Sequence, residues 1–591
     1  MKKLLSLLMA GSAIALCAGI SDLEGEYRNG QVFLRWKEDG LDPKTRLCVW
    51  SSDAPITEAN VAKATRIAAH LNLNSAVDWW LDPYSFFTRR SKKAKSEEIF
   101  AGNVSEGKQK KTVRGFVIKE GGRPISAKGG LHVHTPKASQ EGKRYYAVTA
   151  HNGFADKVTG FTATKAAVTV GKGKALPIRL NGKLTQNSAK GLPIIIRLHG
   201  RGGGSGVARN GKAIGSHILF SDDTFAWREG IPFKFTAVIR QGALNIILND
   251  RIWIGRKLSR KESWDSRDNV PAIATFWMGY NTNIAKSNRG PKFQWDNYTE
   301  RMILYVARWA QDYLGGDKNR TYITGGSMGG SGTVQMVTHF PEFFAAGRAM
   351  VPVYAYTWKK TLSFNPSCMR MQCSIGPFTA DNPAVMPDGT KLEDYGDGAK
   401  NIGRAAIDMP PLLATNGRMD GSIPWANNPP FYKAANDARQ MFSVFWNNGP
   451  HGMSKDAPAG FITEAAMLRY KLNESYPAFS NSSDNRKYGN GDNKDGDLEG
   501  WINRGFDWKD IVDRKDRYEI TLSVNYSGIK YPVTSDVTIR RRQNFKFAPG
   551  TQIKVSVNGK DSTVTIDKDG LLTVEKVTFA DNKPVKVVFS K

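Results

Sequence analysis

Residues 321 to 330 read T-Y-I-T-G-G-S-M-G-G, a short apolar run, a cluster of glycines and the opening of a helix in ten positions. Within it, Gly325-Gly326-Ser327-Met328-Gly329 has the form G-x-S-x-G, and Gly332 to Phe340 continues with helical spacing. A strand that turns this sharply into a helix brings its own backbone into collision with any side chain at Gly325 or Gly329, and the residue at the tip is left projecting. Ser327 stands at that tip, where a nucleophile belongs. A glycine-rich turn without chemistry is the competing reading, and the strand before, the helix after and the paired glycines weigh against it.

Outward from this turn the pattern alternates. Leu192 to Leu198 (L-P-I-I-I-R-L) is nearly all apolar, as a strand buried on both faces requires, and Ala243 to Ile254 and Ala272 to Met278 hold similar runs. Glu300 to Leu314 has a helical rhythm through Met302, Val306, Trp309 and Leu314 and stops at Gly315 and Gly316. Leu412 to Thr415 and Met441 to Trp446 read as strands with a helix, Tyr432 to Gln440, between them. Residues 172–478 are therefore expected to be one α/β domain with a mostly parallel sheet.

A serine nucleophile needs a base, and of eight histidines only His339 and His451 follow Ser327. His339 lies about three turns along the helix that starts at the serine, carried away from it. His451, in N-N-G-P-H-G-M-S, follows a strand and sits in a loop, so it is the expected base. The acid that orients the imidazole should come from a loop after an earlier strand. Asp420 does; Asp408 precedes the strand, Asp437 falls in the next helix, and Asp397 and Asp394 are weaker candidates. His199-Gly-Arg-Gly-Gly-Gly204 directly follows the strand ending at Leu198, and its glycines let backbone approach a carbonyl. The expected oxyanion donors are the N–H of Met328 and that of Arg201 or Gly202. A phosphate loop is disfavoured because G-R-G-G-G-S-G lacks the G-K-[ST] ending.

The four pieces H-G-R-G-G-G, D-K-N-R-T-Y-I-T-G-G-S-M-G-G, N-G-R-M-D-G-S-I-P-W and G-P-H-G together resemble the secreted α/β-hydrolase esterases around polyhydroxybutyrate depolymerases and feruloyl or acetylxylan esterases, with kinship to prolyl oligopeptidase-like hydrolases. The resemblance spans about residues 190 to 475. It implies a Ser327-His451-Asp420 triad, an acyl-enzyme and no metal or organic cofactor. It leaves Phe340 to Asp408, with Cys368 and Cys373, without a counterpart. Trp277, Tyr280 and Trp425 are candidates for stacking on a sugar or aromatic acyl group, with core packing the alternative for Trp277.

At 591 residues the chain exceeds one core, and 40% hydrophobic with 24% charged residues excludes wholesale disorder, collagen and coiled coil. Lys2 and Lys3, an apolar run from Leu4 to Leu16 and small residues at Ala18 and Gly19 have the order of a signal peptide, expected over residues 1–18, and predict a secreted or periplasmic protein. Leu16 argues against lipidation of Cys17. Residues 20–170 read as a β-sandwich: G-Q-V-F-L-R-W and Tyr146-Ala-Val-Thr-Ala150 resemble the second and sixth strands of a fibronectin type III domain, with an insertion at about 71–124. Residues 479–512 read as a polar loop region, where G-D-N-K-D-G-D (491–497) invites calcium but begins with glycine where a ligand is needed. Residues 513–591 read as a β-rich C-terminal module. Cys368 and Cys373 are the only local pair that an oxidising compartment could bridge, and His132 and His134 read as strand residues because no third metal ligand stands at a useful offset.

The formal charge of +29 favours contact with polyanions. No recognition-helix, zinc-finger or RNP-type pattern points to nucleic acid; the run from Leu4 to Leu16 is too short to span a bilayer comfortably, and no run of the ~20 apolar residues a transmembrane helix requires follows it. The expected partner is an ester-bearing polymer, an anionic polysaccharide among the candidates. Two other readings stay open: a serine peptidase of the prolyl oligopeptidase type, and a polymer-binding or adhesion protein with an inactive triad.

Overall fold

The computed structural model describes residues 19–28, 31–71, 73–76, 103–106, 109–112, 126, 128–134, 136, 140–153, 155, 157–171, 178–179, 184, 186–200, 214–219, 232–248, 250–253, 272–281, 295–355, 385–386, 388–452, 457–458 and 460–591. Ten strands form one central sheet: β1 (Ile178–Arg179), β2 (Ile194–Leu198), β3 (Ile214–Leu219), β4 (Pro232–Arg240), β5 (Ala243–Leu248), β6 (Thr321–Gly326), β7 (Ala346–Met350), β8 (Leu412–Gly417), β9 (Phe442–Asn447) and β10 (Gly500–Ile502). Their order across the sheet is β1-β3-β4-β5-β2-β6-β7-β8-β9-β10. From β5 through β9 all neighbours run parallel, so every strand there ends at the same edge. That edge collects the loops that carry chemistry.

Side chains alternate along each strand, and here both faces are buried. Ile194, Ile196, Leu198, Ile323, Leu412, Ala414, Val444 and Trp446 enter one core together with helices α1 (Tyr298–Asp312), α2 (Met328–His339) and α3 (Asn428–Asp437). Ile195, Tyr322, Leu413 and Phe445 enter a second core on the opposite face. The expected strand, turn and helix at 321–340 are found as β6 and α2.

The second core is closed by C-terminal β structure. Tyr476–Ser480, Val533–Arg540 and Leu572–Phe579 form a three-stranded sheet, and Phe506–Asp513, Arg517–Val524, Val585–Ser590, Gln552–Val557 and Lys560–Thr565 a five-stranded one. Their Ile520, Leu522, Val537, Ile553, Phe579 and Phe589 share one apolar core with Tyr322 and Phe445 of the central sheet. Hydrogen bonds lock the contact: Arg541 donates to the carbonyls of Ala345 and Lys471, and Arg540 to those of Ala405 and Ile407.

The polar region expected at 479–512 is corrected by three strands. Tyr476–Ser480 and Phe506–Asp513 belong to the C-terminal sheets, and β10 pairs antiparallel with β9 as the edge of the central sheet. Composition concealed them because Asn, Asp, Ser and Gly dominate the stretch, and an edge strand of three residues is too short to display a period.

Toward the N-terminus, Gly19–Arg28, Gln31–Asp39 and Gly130–His134 make one sheet. Thr45–Ser52, Thr65–Leu71, Gly142–Asn152, Val158–Ala163 and Val168–Val170 make another. Val32, Leu34, Trp36, Leu47, Val49, Tyr146 and Val148 fill the core between them. Part of the expected insertion is a two-stranded hairpin, Asn103–Glu106 with Gln109–Thr112. His132 and His134 are buried, and among the described residues no group of three His, Cys, Asp or Glu side chains could hold a metal. Residues 1–18, Cys368 and Cys373 lie outside the described residues. No helix among the described residues is long and apolar enough to cross a membrane.

Candidate active site

The turn between β6 and α2 is forced by close backbone contacts. A Cβ at Gly325 would stand 2.4 Å from the carbonyl of Gly329, and one at Gly330 would stand 2.6 Å from that of Met350. Ser327, at the tip, has φ 56° and ψ −121°, a left-sided conformation that costs a non-glycine residue energy and marks a site where position matters more than comfort. Its N–H donates to the Met350 carbonyl at 2.8 Å, which fixes the turn against β7.

From this tip the Ser327 Oγ lies 2.8 Å from Nε2 of His451, and Nδ1 of His451 lies 2.6 Å from Oδ2 of Asp420. The other carboxylate oxygen of Asp420 accepts the N–H groups of Ser422 and Ile423 at 2.7 and 2.9 Å. Its side chain is 3% exposed, whereas that of His451 is 30% exposed, so the acid is held from below and the imidazole meets solvent. A short buried bond from a fixed carboxylate to Nδ1–H leaves Nε2 free to accept the serine proton.

The alternatives for the acid have other work. Asp397 caps the short helix Gly398–Ile402 through the Lys400 N–H, Asp394 pairs with Lys400, Asp408 faces Arg540 and Asp437 pairs with Lys433. His339 is engaged in a buried cluster, bonded to Glu300 and to the Tyr395 carbonyl.

Met328 opens α2, so its N–H has no acceptor within the helix and suits an oxyanion. Arg201 and Gly202 lie outside the described residues. The start of their loop is pinned from several sides. His199 Nδ1 donates to the Gly200 carbonyl at 2.8 Å, its Nε2 lies 3.4 Å from the buried Asp250 carboxylate, and Trp277 Nε1 donates to the His199 carbonyl at 3.1 Å.

That last bond goes with the core-packing reading of Trp277 and not with stacking on a ligand: it is fully buried, with its ring edge-on to His199 at 5.1 Å. Trp425, expected as a stacking surface, is corrected, being 2% exposed, with Nε1 donating to the Tyr488 carbonyl and its ring beneath the Arg418 guanidinium at 4.9 Å. Large flat side chains beside a site are as useful for wedging a loop as for stacking a ligand, and the sequence does not distinguish the two uses. Tyr280 lies in a two-residue strand, Tyr280–Asn281, and its side chain lies outside what is described.

Residues 288–470 match the prolyl oligopeptidase family. Ser327, Asp420 and His451 all fall within this stretch, so the hydrogen-bonded line lies inside the segment that matches the family. No curated protein matches the chain. Among solved structures, the S-formylglutathione hydrolase from Agrobacterium tumefaciens is similar at 13% identity over 54% of this chain and 86% of that one, with a TM-score of 0.29. The Pyrococcus horikoshii acylaminoacyl peptidase is similar at 15% identity over 56% of this chain and 46% of that one, with a TM-score of 0.27. The Staphylococcus aureus fluorophosphonate-binding serine hydrolase FphF is similar at 16% identity over 47% of this chain and 91% of that one, with a TM-score of 0.24.

Several residues around this site gave no sequence signal of function. Asp250 follows the L-N at the end of β5, and its place at the active edge of the sheet is the clue that was available. Arg418 gave none, since its role depends on a loop some 75 positions away.

Proposed function

We propose that the protein is a secreted serine hydrolase that cleaves carboxylic esters, on a polymer such as an acylated polysaccharide or a polyester. The observation that carries the reading is the line Ser327 Oγ, His451, Asp420, at 2.8 and 2.6 Å, on the active edge of the parallel strands. Ser327 Oγ attacks the ester carbonyl as its proton passes to His451 Nε2, and Asp420 stabilises the imidazolium. The oxyanion takes the N–H of Met328 and one from Arg201 or Gly202. His451 returns the proton to the departing alkoxide, and a water, deprotonated by the same imidazole, releases the acid. The fibronectin-like reading of the N-terminal sandwich and the charge of +29 support a polymeric, anionic substrate.

The family match favours a second reading, a peptidase. The two differ in the leaving group: an amine must be protonated to leave, while an alkoxide of low basicity leaves with less help. Para-nitrophenyl esters and para-nitroanilides of the same acyl groups, run side by side, separate them. Turnover of esters alone is expected; turnover of anilides at comparable kcat/KM would replace the ester reading with the peptidase one.

A further inference from the structure

Arg418 is 1% exposed and no carboxylate among the described residues pairs with it. Its Nη1 donates to the Asp497 carbonyl at 3.1 Å, and its Nη2 reaches the carbonyls of Asn493, Asp495 and Asp492 at 2.6, 2.7 and 3.4 Å. Burial pushes the guanidinium pKa down, and the nearby carboxylates of Asp495, Asp497 and Asp492 push it back up. The carbonyls of the 491–497 loop therefore converge on a protein cation, while its side chains cap its own turns: Asp492 accepts from Lys494 N, Asp495 from Asn490 N and Asp497 from Lys487 N.

The bracing extends to both halves of the site. The same Asp497 carbonyl accepts Trp446 Nε1 at 2.9 Å, and Trp446 lies on β9, the strand that leads to His451. Arg418 N–H donates to the Asn447 carbonyl at 2.9 Å and Met419 N–H to that of Gly449 at 3.1 Å. One carbonyl thus ties the segment bearing Asp420 to the strand that leads to His451. We propose that Arg418 is a positioning residue, which with the 491–497 loop sets the distance between Asp420 and His451. This rests on the serine-hydrolase reading above. An ammonium in its place gathers its three donors on one nitrogen and cannot span carbonyls that a planar fork reaches from two separate nitrogens.

The test is the rate at which a fluorophosphonate probe labels Ser327 in the whole chain, because phosphonylation needs the triad but no particular substrate. Arg418→Met keeps the bulk over Trp425 and removes the fork. Gly496→Ala acts from the loop side, where φ is +86° and a Cβ would stand 2.6 Å from Lys487 O and Gly489 N. Each variant is expected to stay folded by circular dichroism and to label roughly 10- to 100-fold more slowly, as a displacement of an ångström or less allows. The double variant should match the slower single one within about twofold. Guanidinium added to Arg418→Ala should recover rate, which lost packing alone would not permit. Should Arg418→Met fail to fold, Gly496→Ala decides the matter by itself. Parent-like labelling in the folded variants, or losses that multiply, would overturn the proposal. A parent protein that takes up no probe would overturn the serine-hydrolase reading, and this inference with it.

Discussion

Gly329 lies so close to Leu198 that a Cβ at residue 329 would stand 2.1 Å from the Leu198 carbonyl oxygen. Helix α2 and strand β2 therefore touch backbone to backbone directly behind the serine. Gly329→Ala is expected to destabilise the protein by about 3 kcal/mol or more, at the upper end of overpacking, because the obstacle is backbone and cannot rotate away. Gly326→Ala, whose Cβ would meet nothing nearer than Met350 Cε at 3.7 Å, should cost under about 1 kcal/mol. Urea unfolding of the two variants checks the contrast, and equal losses would refute it.

Ser327→Ala should abolish hydrolysis, by at least roughly 10³-fold in kcat, in a protein that still folds. Adding His451→Ala should then make hardly any further difference, since the two act on one proton. Losses that multiply would place the histidine in another role.

Asp420→Asn replaces the carboxylate that faces Nδ1 with an amide and should lower kcat by about 10³- to 10⁴-fold while keeping the fold. Asp397→Asn should leave kcat within a few fold, because Asp397 only caps a helix. A reversed ranking in steady-state kinetics would reassign the acid.

Glu38 in the N-terminal sandwich accepts from Trp36 Nε1 and Asn74 N–H, yet burial holds its pKa above the ordinary value. The folded state then holds the proton more tightly than the unfolded one, so the stability Glu38 contributes is full at low pH and is lost as pH rises through the raised value. Glu38→Gln removes the charge and keeps one acceptor oxygen, so either Trp36 Nε1 or Asn74 N–H loses its partner at a cost that does not vary with pH. Thermal melts should show the variant gaining on the parent between acid and neutral pH, and a gap that does not change with pH would contradict this.

The formal charge of +29 should retain the protein on a uronate-rich or sulfated polysaccharide matrix at low salt and release it as salt rises. Screening length falls from about 10 Å at 0.1 M to about 3 Å at 1 M. Turnover of a small neutral ester should change little over the same range, and lack of retention at low salt would leave the charge as a solubilising surface.

The strand, turn and helix at 321–340 were legible because steric necessity writes glycine at fixed offsets, and chain order then limited the base to two histidines and the acid to a few loop aspartates. Arg418 and Asp250 were not legible, since each acts through partners that only the folded chain brings near. Trp425 as a stacking surface, and the choice between stacking and core packing at Trp277, could not be read for a related reason: residue type indicates a large flat surface, and only the fold tells whether it faces a ligand or Arg418 and His199. The polar run around 491–497 had the composition of a solvated loop, and its backbone, which composition does not report, does the bracing.

A ribosome making this chain completes Ser327, Asp420 and His451 well before Ile520, Val537 and Phe589, the residues that dry the far face of their sheet. Until those emerge, that face of the sheet lacks much of its apolar cover. A nascent chain halted at residue 505 thus owns every atom of the hydrogen-bonded line and lacks the surface that lets it hold still. A chain cut at 505 is therefore expected to hydrolyse more slowly than the whole chain, and full activity in it would show that the late strands do not matter to the site.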